Sequence, residues 1–296
     1  MRIVRYEERD GLTRLGALTE RGVIPLEAVA RSLNMSSEYF ADMDSFLLGG
    51  EAARIRAEKV ISGAPHSAAI QIFSVVLRSP IRRPGKIVAV GLNYRDHSLE
   101  AGAKNLPKTP ILFAKLTTSI SGPGDPIVIP PGDPQVDYEA ELAVVIGKKG
   151  KTIAAANAFE YVAGYMPLND VTARAWQFAD KQWVRGKSCD TFCPIGPCLT
   201  TSDEIPDPHA LAICARVNGV TVQDSNTSKM IFRIPELIEF ISGGISLEPG
   251  DIIATGTPEG VGVFRNPPVF LKAGDIVEVE IEKLGVLRNP VVASPA

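Results

Sequence analysis

The sequence predicts a mixed α+β protein built mostly of strands, with a small unit at residues 1–80 ahead of a larger one at residues 81–296. Three observations carry this reading. Short apolar runs between 23 prolines and 26 glycines imply many short strands and tight turns rather than long helices. The run Ala143-Val144-Val145-Ile146, stopped by Gly147-Lys148-Lys149-Gly150, has the length and β-branching of a buried strand. Asn218-Gly219, between apolar runs at 213–217 and 220–223, is the strongest hairpin signal in the chain.

Taken in order, residues 2–6 and 12–17 read as strands, and 21–25 as a turn into a third. Apolar spacing predicts helices over 26–33 and 37–48, and a further one over 51–61 that Gly63 ends. Residues 78–85, with two prolines and a glycine, read as a linker. A buried strand follows at 87–91, then a short helix that Asp96 can cap and Gly102 can stop. Strands are expected at 112–115, 127–129 and 161–168, and helices at 154–159 and 172–178. A loop over 183–197 presents Lys187. Residues 234–241 form a helix with Pro235 in its first turn and Gly243 at its end. Strands at 252–255, 276–281 and 285–291 complete the chain, which shows no internal repeat.

Composition narrows the function classes. A chain of 296 residues, 45% hydrophobic and 22% charged, can bury a large core as an ordinary globular protein. A net charge of −3 argues against nucleic acid or an anionic membrane as partner. No apolar run approaches the roughly 20 residues of a membrane span, and MRIVRYEERD lacks a signal-peptide core, so the expected location is the cytoplasm. Cys189, Cys193 and Cys198 have a C-x₃-C-x₄-C spacing that matches no common zinc or redox pattern. With Cys214 they are expected to be buried free thiols.

Four stretches carry chemistry. In Asp137-Tyr138-Glu139-Ala140-Glu141, strand alternation puts Glu139 and Glu141 on one side. That is either the wet face of a half-exposed strand or a pair of ligands for a hard divalent cation. His97 and Glu100 lie three apart on one helical turn: a surface ion pair, or a base whose tautomer a carboxylate fixes. Asp170, at a strand end, is a cap or a ligand, with Arg174 and Gln177 on the same side at spacings of four and three. The glycines of Gly256-Thr257-Pro258-Glu259-Gly260-Val261-Gly262 follow neither dinucleotide nor P-loop spacing. Their N–H groups and the Thr257 hydroxyl can still receive an anion.

Together, Gly91-Leu92-Asn93-Tyr94-Arg95-Asp96-His97, Asp137-Tyr138-Glu139-Ala140-Glu141-Leu142, Asn169-Asp170-Val171-Thr172-Ala173-Arg174, Gly186-Lys187-Ser188-x-Asp190 and Thr255-Gly256-Thr257-Pro258-x-Gly260-Val261-Gly262 resemble the fumarylacetoacetate hydrolase family. Within that family they resemble its bacterial-type acylpyruvate hydrolase and 2-hydroxyhepta-2,4-diene-1,7-dioate isomerase branch. The resemblance implies a β-roll around one metal site, usually in a homodimer. It implies Mg²⁺ or Mn²⁺ on Glu139, Glu141 and Asp170, a catalytic His97–Glu100 pair on a closing segment, and Lys187 for an anionic substrate group or oxyanion. Arg174, Gln177, Gly256 and Thr257 would line the same substrate pocket. Animal fumarylacetoacetate hydrolases take another Asp ligand from the strand before the histidine. Residues 87–91 hold no acid, which points away from fumarylacetoacetate itself. The implied activity is hydrolysis of a C–C bond in acylpyruvate-like α-keto acids through a metal-stabilised enolate. Oxaloacetate decarboxylation and 2-hydroxy-dienoate isomerisation or hydration are alternatives on the same site, and a non-catalytic metal-binding scaffold is the remaining one.

Overall fold

The computed structural model describes residues 1–132 and 134–294. It is a mixed α+β fold dominated by strands. The larger sheet runs Gly22–Pro25, Thr13–Thr19, Arg2–Glu7, Leu199–Thr201, Val162–Asn169, Ala140–Ile146, Ile252–Ala254, Ile87–Gly91 and Ile111–Lys115, with Val76–Arg78 added to Arg2–Glu7. The smaller runs Val220–Asn226, Ala212–Val217, Ile276–Ile281, Gly285–Ala293 and Ile127–Ile129. Among the described residues neither sheet closes into a barrel.

Ala140–Ile146 is central because every one of its side chains is buried. Leu142, Val144 and Ile146 face a core shared with Ile213, Val277, Val279 and Leu287 of the smaller sheet. Ala143 and Val145 face a second core with Ile3, Leu15, Phe46 and Leu47. A strand covered on both faces reads as one unbroken apolar run, which is why this stretch stood out. Residues 1–80 therefore continue the main sheet, through Arg2–Ile3 on Leu199–Thr200, and lay the helix Met43–Gly63 on its outer face.

Several sequence expectations shift by a few residues. The helices expected at 37–48 and 51–61 are both present within Met43–Gly63, separated where Gly50 leaves helical geometry at φ +53°, and the first starts later than expected, at Met43. Residues 38–40 and Ala155–Tyr161 are 3₁₀ turns. Thr172–Ala173 pairs with Val136–Asp137 before the helix Arg174–Ala179 starts. Lys187 is the last residue of a one-turn helix, Val184–Lys187, not part of a loop. Asp96 is not a cap: Tyr94 precedes the helix Arg95–Glu100, and Asp96 sits in its first turn. The hairpin holds, with positive φ at both Asn218 and Gly219. All four thiols are free. Cys193 and Cys198 are buried, whereas Cys189 and Cys214 are only half-buried.

Candidate active site

The site is assembled by register. Ala140–Ile146 pairs antiparallel with Val162–Asn169, with Ala140 opposite Asn169, and the Asp170 N–H donates to the Glu139 carbonyl at 2.9 Å. That places Asp170 beside Glu139 at one end of the sheet, where Glu141 joins them. All three carboxylates are buried, with oxygens within 4.8 Å of one another. The half-exposed-strand reading of Glu139 and Glu141 fails on that burial.

Neighbouring strands close the other sides. Ile252–Ala254 delivers Gly256, whose N–H donates to Glu141 Oε2 at 2.8 Å. Gly256 has φ +100°, and a Cβ there would lie 2.7 Å from Asn93 Cβ, so only glycine fits. Its N–H thus serves a carboxylate of the protein. Asn93 clasps this corner, donating to the carbonyls of Thr255 at 2.7 Å and Phe232 at 3.0 Å.

Charge in this pocket does not balance. Lys187 Nζ donates to Glu139 Oε2 at 2.8 Å and to Asp170 Oδ2 at 2.7 Å. Lys115 Nζ binds Asp170 Oδ1 and the Lys187 carbonyl. Arg174 Nε donates to Asp137 Oδ2 at 2.8 Å, and Arg174 Nη1 to Gln177 Oε1 at 2.9 Å. Asp137, Glu139, Glu141 and Asp170 thus face Lys115, Arg174 and Lys187, one cation short. Burial works to raise Glu139, but Lys187 and then Arg174 outweigh it and hold it down at about 2. Glu141 has no such partner: burial, then Asp170 and Glu139, push it well above the usual carboxylate range. Burial disfavours the Lys187 ammonium, yet Asp170 and Glu139 keep its pKa above the ordinary lysine value. An all-carboxylate donor set that lacks one positive charge fits a hard divalent ion on Glu139, Glu141 and Asp170.

The His97–Glu100 pair stands opposite. His97 Nδ1 is 3.2 Å from Glu100 Oε2, while Glu100 Oε1 accepts the Gly260 N–H at 3.0 Å. With Nδ1 engaged, Nε2 is the ring nitrogen left for substrate. A cavity of about 200 Å³ is lined by His97, Glu139, Glu141, Arg174, Gln177, Lys187 and Thr257. Thr257 Oγ1 accepts from Gln223 Nε2 at 2.9 Å. Asp170, Glu100 and Gly256 stand behind this lining and hold the residues that form it. Arg174 Nη2 lies 2.7 Å from Glu139 Oε1, an ion-pair distance, but off the line of a hydrogen bond. That ion pair, with the bonds to Asp137 and Gln177, fixes the guanidinium at the cavity wall beside Glu139.

Two charged residues, Lys115 and Asp137, have a part in the site that the sequence did not assign to them, although Asp137 stands in a quoted stretch. Lys115 ends an apolar strand, and that lone terminal charge was its only signal. Asp137 accepts from Tyr138 N, Gly262 N, Val263 N and Arg174 Nε, and so fixes the arginine, but nothing in its spacing marks it.

The model of the fumarylacetoacetate (FAA) hydrolase C-terminal family matches residues 86–292. The chain is 47% identical over 297 residues to the mitochondrial oxaloacetate tautomerase fahd2 of Xenopus laevis, covering 99% of this chain and 90% of that one. Among solved structures it resembles the maleylpyruvate hydrolase of Sphingobium sp. SYK-6, crystallised with manganese(II) and pyruvate, at TM-score 0.80 and 31% identity over the whole of both chains. The 5-carboxymethyl-2-hydroxymuconate delta-isomerase of Mycobacterium smegmatis superimposes at TM-score 0.77 and 34% identity, again over both whole chains. No helix among the described residues is long and apolar enough to cross a membrane.

Proposed function

This chain belongs to the fumarylacetoacetate hydrolase family, and on that premise we propose that it is a metal-dependent oxaloacetate keto–enol tautomerase. The observation that carries the reading is a small cavity in which His97, Lys187, Arg174 and two of the three clustered carboxylates, Glu139 and Glu141, meet, with Asp170 directly behind them. Tautomerisation needs only a base, a seat for carboxylate and a stabilised enolate oxygen, and it requires no second substrate. The tautomerase relative, covered almost end to end, supports the same substrate.

Glu139, Glu141 and Asp170 would hold a divalent ion, Mg²⁺ or Mn²⁺, which when bound would supply Lewis acidity to the enolising substrate. Arg174 takes a substrate carboxylate, and Gln177, bonded to Nη1, keeps the guanidinium in place. His97 Nε2 takes the proton from C3, the enolate oxygen that results is protonated to give the enol, and ketonisation runs the same two transfers backward, while Glu100 holds the opposite nitrogen. Lys187 steadies the negative charge that develops on oxygen.

A second reading is hydrolysis of an acylpyruvate, with His97 activating water. The maleylpyruvate hydrolase neighbour favours it, and its crystal with manganese(II) and pyruvate supports Mn²⁺ beside Mg²⁺. Oxaloacetate decarboxylation would use the same enolate. The test follows enol-oxaloacetate absorbance, carbon dioxide release and acylpyruvate cleavage side by side, with each metal and with chelator. Metal-dependent ketonisation without carbon dioxide release is expected, and cleavage of acylpyruvate at a much higher efficiency would move the assignment to hydrolase. We place the enzyme in the cytoplasm as a homodimer. Four free thiols support a reducing compartment, although the Xenopus relative is named mitochondrial.

A further inference from the structure

The cavity has two halves of opposite chemistry. Against the charged half stands a wall of Leu92, Phe113, Phe178, Trp183 and Phe264. Phe113 and Trp183 meet edge to face at 5.3 Å between centroids, and Lys187 Nζ lies 5.3 Å from the Phe113 centroid. Phe264 lies 6.0 Å from the His97 ring. Aromatic rings thus flank both the cation and the base. Gly91 makes the wall fit, since a Cβ there would come within 2.5 Å of the Trp183 ring.

Oxaloacetate does not account for this half. It carries a carboxylate at each end, and a carboxylate against an aromatic wall loses hydration without gaining a partner. A wall that served only to exclude water would itself be buried, yet Phe178 is 62% exposed and Phe264 37% exposed at the mouth. Exposed aromatics around a polar centre mark a surface that a ligand covers. The cavity, about 200 Å³ with both halves counted, is open on one side, so a ring seated on the wall can extend toward the mouth beside Phe178 and Phe264.

We propose that the same site tautomerises arylpyruvates, 2-keto acids with a flat aromatic ring on C3, seating the ring between Phe113–Trp183 and Phe264. This rests on the tautomerase reading above. His97 takes the C3 proton, the C–H electron pair becomes the C2=C3 bond, and the carbonyl π pair moves to oxygen. A proton delivered to that oxygen completes the enol, and loss of the O–H proton with return of a proton to C3 reverses each change, so no co-reactant is consumed. The ring conjugates with the new double bond and stacks against the wall in that planar form.

The test is exchange of C3 hydrogen for deuterium in D₂O, followed by proton NMR with the Mn²⁺- or Mg²⁺-loaded enzyme. Phenylpyruvate, oxaloacetate and 2-oxobutanoate are compared, each rate divided by that with free metal ion alone, because the aryl group acidifies C3 by itself. Phenylpyruvate should exceed 2-oxobutanoate in this ratio by roughly tenfold or more. Trp183→Ala should shift the phenylpyruvate-to-oxaloacetate ratio of efficiencies roughly tenfold toward oxaloacetate, the upper range for a stacking contact, and Trp183→Phe should keep most of it. If Trp183→Ala does not fold, Phe264→Leu carries the same comparison. Phenylpyruvate enhanced no more than 2-oxobutanoate, or a ratio indifferent to the wall, overturns the proposal and leaves a wall that only excludes water. Oxaloacetate inert as well overturns the tautomerase reading together with it.

Discussion

Lys187 reaches Asp170 across 2.7 Å with both side chains buried, so a lysine occupies the ground on which a divalent ion would also sit. Lysine and ion compete for the same carboxylate charge. Lys187→Met should therefore bind Mn²⁺ more tightly in calorimetry. Without metal it should melt well below the wild type, since breaking a buried pair costs about 3–5 kcal/mol. Metal should restore most of that loss, while kcat/KM falls on the order of 10²-fold through the missing charge at the oxyanion. Weaker metal binding by this variant would mean that the lysine supports the ion rather than opposing it.

Glu141 behaves in the opposite sense. Its side chain has one hydrogen bond, from Gly256 N, and the pull of Lys187 is outweighed by burial, Asp170 and Glu139. Glu141→Gln keeps an acceptor for that N–H and removes a buried, repelled carboxylate. The metal-free variant should be at least as stable as the metal-free wild type, yet inactive at ordinary Mg²⁺ concentrations. Full activity after chelator treatment would overturn the metal assignment.

His97→Ala and Glu100→Gln leave the carboxylate triad untouched and separate the reactions that share the enolate. Ketonisation of oxaloacetate should fall by the roughly 10²–10⁴-fold typical of losing a general base. Decarboxylation, which needs an electron sink but no base, should fall far less wherever the wild type shows it. Equal loss of both would assign the pair to closing the segment over substrate.

The sequence made some of this legible and hid the rest for definite reasons. Glu139, Glu141 and Asp170 could be found because they stand in stretches that together resemble the fumarylacetoacetate hydrolase family, whereas spacing alone left a wet face and a helix cap open. The strand Ala140–Ile146 was visible because both its faces are buried. Helix starts were less legible. Asp96 looked like a cap, but its carboxylate is drawn to Lys229, 133 residues away. Lys115 was hidden because its role depends on a long-range sheet register, Ile87 opposite Lys115, that local pattern does not encode. The aromatic wall comes from segments at 92, 113, 178, 183 and 264, which only the fold brings together.

Histidine 209 makes stability depend on pH. Its Nε2 accepts the Ile234 N–H at 3.1 Å, at the start of the helix Ile234–Gly244. Burial, then Arg233, hold its pKa below the ordinary value against the weaker pull of Asp207 and Glu236. The unfolded chain therefore takes up this proton first. Its stabilising contribution is complete above about pH 6.5, the free value. It is lost as pH falls from there through the folded pKa. His209→Gln should flatten that part of the melting-temperature profile. A wild-type profile flat from pH 7 to 5, or one the variant does not change, would show that the residue is not titrating there.

The last prediction concerns the helix that carries the base. Arg95–Glu100 is tied down at two places: Glu100 Oε1 on Gly260 N at 3.0 Å, and Asp96 Oδ2 on Lys229 Nζ at 2.6 Å. Lys229 also lies 3.8 Å from Glu259, so a single ammonium spans the helix and the glycine-rich turn. The lysine is 41% and Asp96 29% exposed, and such pairs contribute at most about 1 kcal/mol. Lys229→Met should then change KM by no more than roughly fivefold with kcat almost unmoved, and added salt should erase the difference. Asp96→Asn should do the same, and the double variant should be no worse than either single one. Lys229→Arg, which keeps the charge, should recover most of the effect. Two single effects that simply add would show that Asp96 and Lys229 act separately and that the helix is held by Glu100 alone.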